Sequence, residues 1–207
     1  EKKNLITFII PTTEASPMFQ GAQSESEKYG YHLLLKNDEP IENLTREGFV
    51  SKERDFLIKY RDGKLGNSLI LYYEGGKENL DIINDLLRSR RPIVFVDRLP
   101  DELSVDYVGY DNFSAGRIVT EELIKKGKKN IAIVGIGRAL SSIKEQVDGY
   151  KKALSDNGLE VKEENIISGI DFFYYWQEDD FARFKEKFNA VKDKVDAIYF
   201  MTPSTEH

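Results

Sequence analysis

The 207 residues include 30 Lys and Arg against 36 Asp and Glu, a formal net charge of −6, which leaves no overall basic field for nucleic acid. There is no cysteine, which excludes disulfides and thiolate metal sites but leaves the compartment open. Apolar residues at 40%, with 12 Phe and 11 Tyr, describe a packed protein, and no apolar run approaches the ~20 residues that a membrane span needs.

Leu5–Ile10 reads as a buried strand closed by Pro11. Glu1–Asn4 lead directly into it, so no secretion leader is expected, and a start on a strand suggests residues cut from a longer protein. Ser16-Pro17 pairs an N-cap hydroxyl with proline at the first helical position. Met18, Ala22 and Tyr29 would share the inner face of that helix, and Gly30 would supply its left-handed stop. Tyr31–Leu35 is a second strand. A polar connection, Asn37 to Thr45, precedes a helix with Phe49, Phe56, Leu57 and Tyr60 inward. Turns at Asp62-Gly63 and Gly66-Asn67 lead to a third strand, Ser68–Tyr73, and Gly75-Gly76 to a helix facing inward through Leu80, Ile83, Leu86 and Leu87. Arg88, Arg90 and Arg91 complement that helix's dipole before Pro92 stops it.

Ile93–Val96, Tyr107–Tyr110 and Ile131–Val134 are short, nearly continuous apolar runs, as strands buried on both faces of a parallel sheet require. Between the last two lies a helix, Phe113–Lys126, with Ala115, Ile118, Val119 and Leu123 as its apolar period. A loop, Ile136–Ser142, precedes a helix with Ile143, Val147, Tyr150 and Leu154 inward. Asn165–Ser168 is a short strand, followed by five consecutive aromatic residues, Phe172–Trp176. Asp179 and Asp180 cap a helix with Phe181, Phe184, Phe188 and Val191 on one side, and Ala197–Met201 is the last strand.

Alternating strands and helices predict an α/β chain with right-handed crossovers. The link from Ile93–Val96 to Tyr107–Tyr110 is too short for a helical crossover, which suits a chain passing from one lobe to another. We therefore expect two doubly wound parallel-sheet lobes, 1–111 and 112–207, the second incomplete. Ligands bind beyond the carboxyl ends of such strands. That rule gathers Ser16–Phe19, Asp97-Arg98, Asp111-Asn112, Ile136–Gln146, Phe172 and Thr202 around one expected cleft.

Enzyme signatures fail on inspection. Gly135-Ile136-Gly137 follows a strand, but the third glycine of a dinucleotide fingerprint would fall on Leu140. His32 and His207 are the only histidines, one inside a strand and one at the last residue. Glu121-Glu122 and Asp179-Asp180 read as solvated or dipole-complementing charge. No catalytic residue, cofactor or metal is expected.

The run Pro92, Ile93–Val96, Asp97-Arg98, Asp111-Asn112, Ala115-Gly116, Gly127-Lys128-Lys129 and Ile131–Val134 resembles the effector-binding domain of the LacI/GalR transcription regulators. Ile10-Pro11, Ser16-Pro17-Met18-Phe19, Gly21, Gly30-Tyr31, Ser141 and Gly149-Tyr150-Lys151-Lys152-Ala153-Leu154 extend the resemblance over nearly the whole chain. It implies a periplasmic-binding-protein-like type I fold. It further implies a small-molecule effector, a sugar or sugar derivative, in a cytoplasmic homodimeric regulator or repressor. DNA would be contacted only through a helix-turn-helix domain that these residues lack, and no membrane is implied. Three departures stand out. The family's ligand-contacting arginine is Gln146, the Asn-Asp after the last strand is Thr202-Pro203, and the family's further strand–helix units do not follow.

Each candidate has a plainer reading beside the ligand one. Asp97 and Arg98 could form a surface or interlobe ion pair. Asp111 could cap a helix. Gln146 could replace the arginine or sit exposed. Phe172 could stack on a sugar or pack in the core, and Met18 and Phe19 could line a pocket or fill a core. Two binding functions stay open, the regulator's sensor core and an extracellular receptor feeding a transporter. Gly127–Ile131 and Gly149-Tyr150 look more like the regulators.

Overall fold

Strands buried on both faces need neighbours on both faces, and two parallel sheets meet that need here. The computed structural model describes residues 4–10, 16–36, 46–75, 77–100, 103–136, 141–170 and 178–201. The chain divides into two units, Glu1–Gly109 and Tyr110–His207.

In the first unit β1 (Leu5–Ile9), β2 (His32–Lys36), β3 (Ser68–Leu71), β4 (Ile93–Val96) and β5 (Asp106–Val108) pair in the order β2-β1-β3-β4-β5. Every pairing is parallel, with Phe8 opposite both Leu35 and Ile70, and Val96 opposite Val108. Among the described residues three helices belong to it: α1 (Pro17–Lys28), α2 (Arg46–Arg61) and α3 (Leu80–Arg88). Side chains alternate along each strand. Ile9, Leu69, Leu71, Ile93 and Phe95 meet Leu57 and Tyr60 of α2 and Ile83 and Leu86 of α3. Phe8 and Ile10 meet Phe19 of α1 on the other face. Each such side chain contributes about 1.5–3 kcal/mol on burial. β5 follows β4 without a helix among the described residues, yet still pairs with it in this sheet.

The second unit carries β6 (Ile131–Ile136), β7 (Ile166–Ile170) and β8 (Ala197–Phe200) in the order β7-β6-β8, again parallel. Its helices are α4 (Asn112–Lys125), α5 (Ser141–Asp156) and α6 (Glu178–Val191). One cluster sets Ile131, Ile133 and Tyr199 against Tyr150 and Leu154 of α5. The other packs Val134 and Ile167 against Val191, Phe184 and Phe188.

Several expectations need correction. Tyr29 is 72% exposed, because α1 ends at Lys28 and the residue lies past its inner face. Phe181 is likewise exposed; the inner side of α6 begins at Phe184. The apolar period of α4 is not its packing face: Ile118 is 58% exposed and Val119 38%. What α4 buries is Asn112, Gly116 and Thr120. The reason is a backbone-to-backbone crossing with α5. A Cβ at Gly116 would lie 2.1 Å from the Gln146 carbonyl oxygen, and one at Gly149 would lie 2.1 Å from that of Phe113. No side chain fits there, so the helix turns its small residues inward and leaves the β-branched ones outside.

Candidate functional site

The carboxyl ends of β3 and β4 lie side by side in the first sheet, so the residues just beyond them converge. Those residues are Tyr72, Glu74 and Gly75 after β3, and Asp97 and Arg98 after β4. The Arg98 guanidinium donates from Nη1 to Glu74 Oε1 at 2.8 Å and from Nε to Asp97 Oδ2 at 3.2 Å. Nη2 donates to the Tyr72 hydroxyl, and the guanidinium lies 4.2 Å from the Tyr72 ring centroid. The side chains of Arg98, Glu74 and Asp97 are 12%, 5% and 19% exposed, so this is a largely buried ion-pair network. Burial disfavours the guanidinium's charge, but Glu74, Tyr72 and Asp97 outweigh it, and the net shift raises its pKa.

Asp97 is held in the left-handed region at φ 67°. The Arg98 N–H donates to the Val96 carbonyl at 2.8 Å, closing a three-residue γ-turn of the rare, strained hand. Two contacts from β5 and its edge fix that turn: the Asp97 N–H donates to Val108 at 2.9 Å, and the Tyr107 hydroxyl donates to the Asp97 carbonyl at 2.9 Å. Strain held this firmly at a strand end is a mark of functional positions.

Behind this network lies a second carboxyl. Glu53, on the inner stripe of α2, is 1% exposed. It accepts from the Glu74 N–H at 2.7 Å and from Asn79 Nδ2 at 2.8 Å. Burial pushes its pKa from 4.5 up to about 8, against the pull of the Asn79 and Glu74 donors. Asn79 Nδ2 also donates to the Val50 carbonyl at 3.0 Å, and its Oδ1 is buried with no hydrogen-bond partner among the described residues. Gly75 makes room for the pair: a Cβ there would lie 2.5 Å from Glu53 Oε1.

Of the expected site residues in this unit, Asp97 and Arg98 come together. Ser16 stands half-buried at the head of α1, but its hydroxyl makes no cap hydrogen bond, contrary to expectation. Phe19 is 3% exposed and packs with Phe8 at 6.2 Å between ring centroids, and Met18 joins the same cluster. Phe19 is a core side chain, and Met18 packs partly buried against that core. Sequence reading missed Glu74, Tyr72, Glu53 and Asn79. Two signals were available: Glu74 directly follows the run Ser68–Tyr73, and Glu53 continues the Val50–Leu57–Tyr60 helical spacing.

In the second unit Asp111 is the N-cap of α4, its Oδ1 accepting from the Ser114 N–H at 2.9 Å. That bond, aided by the Ser114 side chain, holds its carboxyl below the usual range. The Gln146 amide is engaged at both ends. Nε2 donates to Asn112 Oδ1 at 3.1 Å, and Oε1 accepts from the Tyr199 hydroxyl at 2.7 Å, tying α5 to α4 and β8. Phe172 and Thr202 lie outside the described residues.

Residues 70–173 match the family model of periplasmic binding proteins and the sugar binding domain of the LacI family. The chain belongs to this family. Among family relatives, the "Probable HTH-type transcriptional regulator EndR" of Paenibacillus polymyxa is 38% identical over 176 residues, 82% of this chain and 48% of that protein. The HTH-type transcriptional repressor PurR of Photobacterium profundum is 24% identical over 92% of this chain and 54% of its own length. This chain thus spans about half the length of these relatives, which are named as transcription regulators and not as enzymes. Solved structures share the fold. The regulator CcpA of Lactococcus lactis aligns with a TM-score of 0.71 at 20% identity, over 96% of this chain and 68% of that one. A complex of the transcriptional regulator CelR with cellobiose aligns at 0.73 and 22% identity, over 97% and 59%. Among the described residues no helix is long and apolar enough to cross a membrane.

Proposed function

We propose that this chain is the ligand-sensing part of a LacI-type transcription regulator and that its effector is a sugar or sugar derivative. The observation that carries the reading is Asp97, a carboxylate set on a strained turn at the end of β4 with Oδ2 held by Arg98. A fixed acceptor of this kind suits a sugar hydroxyl. The family description and the cellobiose complex of the CelR neighbour support it. Asp97 is the principal ligand contact, and Arg98 holds it in place. Ser16, with a hydroxyl that caps no helix, is a second contact. Asp111 and Gln146 serve α4 and its neighbours before they serve a ligand.

In the whole protein, lobes 1–111 and 112–207 respond to the effector, and the response passes to DNA through residues outside this chain. The regulator works as a cytoplasmic homodimer. Calorimetry of the chain with glucose, ribose and cellobiose tests the sensing role. Saturable heat with at least one of them is expected, and no binding of any of them overturns the reading.

A further inference from the structure

α3 ends unlike the other helices that close on a left-handed residue. After α1, α2, α4 and α5 that residue is Gly30, Gly63, Gly127 and Gly158 in turn. After α3 it is Arg90, at φ 52°. The turn is a Schellman one: the Arg90 N–H donates to the Leu87 carbonyl and the Arg91 N–H to that of Leu86, both at 3.0 Å. Glycine would close it without strain. A side chain kept at a strained position, against stability, points to a use for that side chain. The use is not capping. Arg91 already serves the neighbouring carbonyls, its Nη2 donating to those of Tyr60 at 3.0 Å and Arg61 at 2.8 Å. The Arg90 side chain is exposed and has no ion-pair partner among the described residues.

Other cations lie at the same edge. In this parallel sheet α2 and α3 both end where β3 and β4 begin, and Arg91 ties the two helix ends together. Exposed there are Arg88 on α3 and Lys59, Arg61 and Lys64 at the end of α2. Their ion pairs are surface ones: Arg61 to Asp62 at 3.1 Å, Lys64 to Asp62 at 3.9 Å and Arg88 to Asp85 at 3.4 Å. The Lys64 and Arg88 side chains are 70% and 79% exposed, and pairs of this kind exchange readily for another anion. Asp106, at the start of β5, is a further acid on this edge, and the cations still outnumber the acids. That local excess stands out in a chain with a net charge of −6. Resting on the regulator role above, we propose that this edge of the first unit lies against the phosphate backbone of duplex DNA, with Arg90 reaching a phosphate. Such a contact needs exposed cations and no built pocket, and it carries no sequence information. It adds grip to whatever residues read the operator. Relatives named as HTH-type regulators and repressors favour DNA over an acidic protein segment as the occupant.

The test follows the anisotropy of a labelled duplex of about 30 base pairs and arbitrary sequence as the chain is added, at about 50 and about 200 mM salt. Saturable binding is expected, at least about tenfold weaker at the higher salt. Arg90→Gly should bind at least about threefold more weakly while its thermal midpoint stays level or rises, since glycine fits the left-handed residue. Adding Lys64→Gln and Arg88→Gln should weaken binding further, and Lys125→Gln on α4 should leave it unchanged. The inference is overturned by no saturable binding of the duplex or by an Arg90→Gly curve that matches the parent's. A lower midpoint for Arg90→Gly, or a poly-glutamate peptide that binds as tightly as the duplex, overturns it equally. Sugar calorimetry on the same chain is independent of all these outcomes, so the sensing role stands or falls separately.

Discussion

The two units each hold a polar network near the ends of their strands, and the networks differ in kind. In the first, Arg98, Glu74 and Asp97 form a largely buried ion-pair network, and one of them sits on a strained turn. In the second, Gln146, Asn112 and Tyr199 are neutral and pass hydrogen bonds from one element to the next. A neutral, satisfied chain of amides and hydroxyls fixes the packing of α4 on α5. The charged network joins the segments just past β3 and β4. Position beyond a strand end therefore does not by itself mark a contact residue.

Breaking the charged network should have the largest effect. Arg98→Met removes the buried guanidinium that joins Glu74 to Asp97 and should lower the stability of the first unit by about 3–5 kcal/mol in urea unfolding. An unchanged midpoint would make the pair superficial. The neighbouring Glu53 should make stability depend on pH. Its carboxyl, near pH 8 in the folded state and 4.5 by default, keeps a proton between those values that the unfolded chain has released. Its contribution is thus fully present below pH 4.5 and is lost as the pH rises to about 8, at up to about 1.4 kcal/mol per pH unit. Glu53→Gln should gain on the parent protein steadily across that window. A difference that stays flat with pH would show that Glu53 is ionised throughout. In the neutral network, Gln146→Ala should cost about 1–2 kcal/mol by leaving buried Asn112 short of a partner. The smallest change is Tyr107→Phe, which removes the hydroxyl bond to the Asp97 carbonyl. It should cost about 0.5–1.5 kcal/mol and loosen the turn, visible as faster hydrogen exchange at Asp97 and Arg98.

Much of the fold was legible because continuous β-branched runs and helical spacing report burial directly: Leu57, Tyr60, Ile83, Leu86, Tyr150 and Leu154 all face inward as read. α4 misled because apolar spacing says which residues could be buried, while the crossing at Gly116 and Gly149 depends on how closely two backbones approach. The site was legible in part. Asp97 and Arg98 were visible as a polar pair closing an apolar strand. Their partners were not, since Glu74 comes from a strand adjacent in space and 24 residues earlier in sequence. Glu53 has the composition of a surface residue, and only its place on the Val50–Leu57–Tyr60 stripe gives it away.

The contrast between the networks comes down to one pair of binding curves. Asp97→Gly deletes the carboxylate while glycine accepts the left-handed backbone, and Gln146→Ala deletes the neutral bridge. With a neutral sugar that binds the parent chain, calorimetry should show Asp97→Gly at least about tenfold weaker and Gln146→Ala close to the parent at a temperature where it stays folded. Equal affinity for the parent and Asp97→Gly would contradict the assignment of the strand-end carboxylate as the ligand contact.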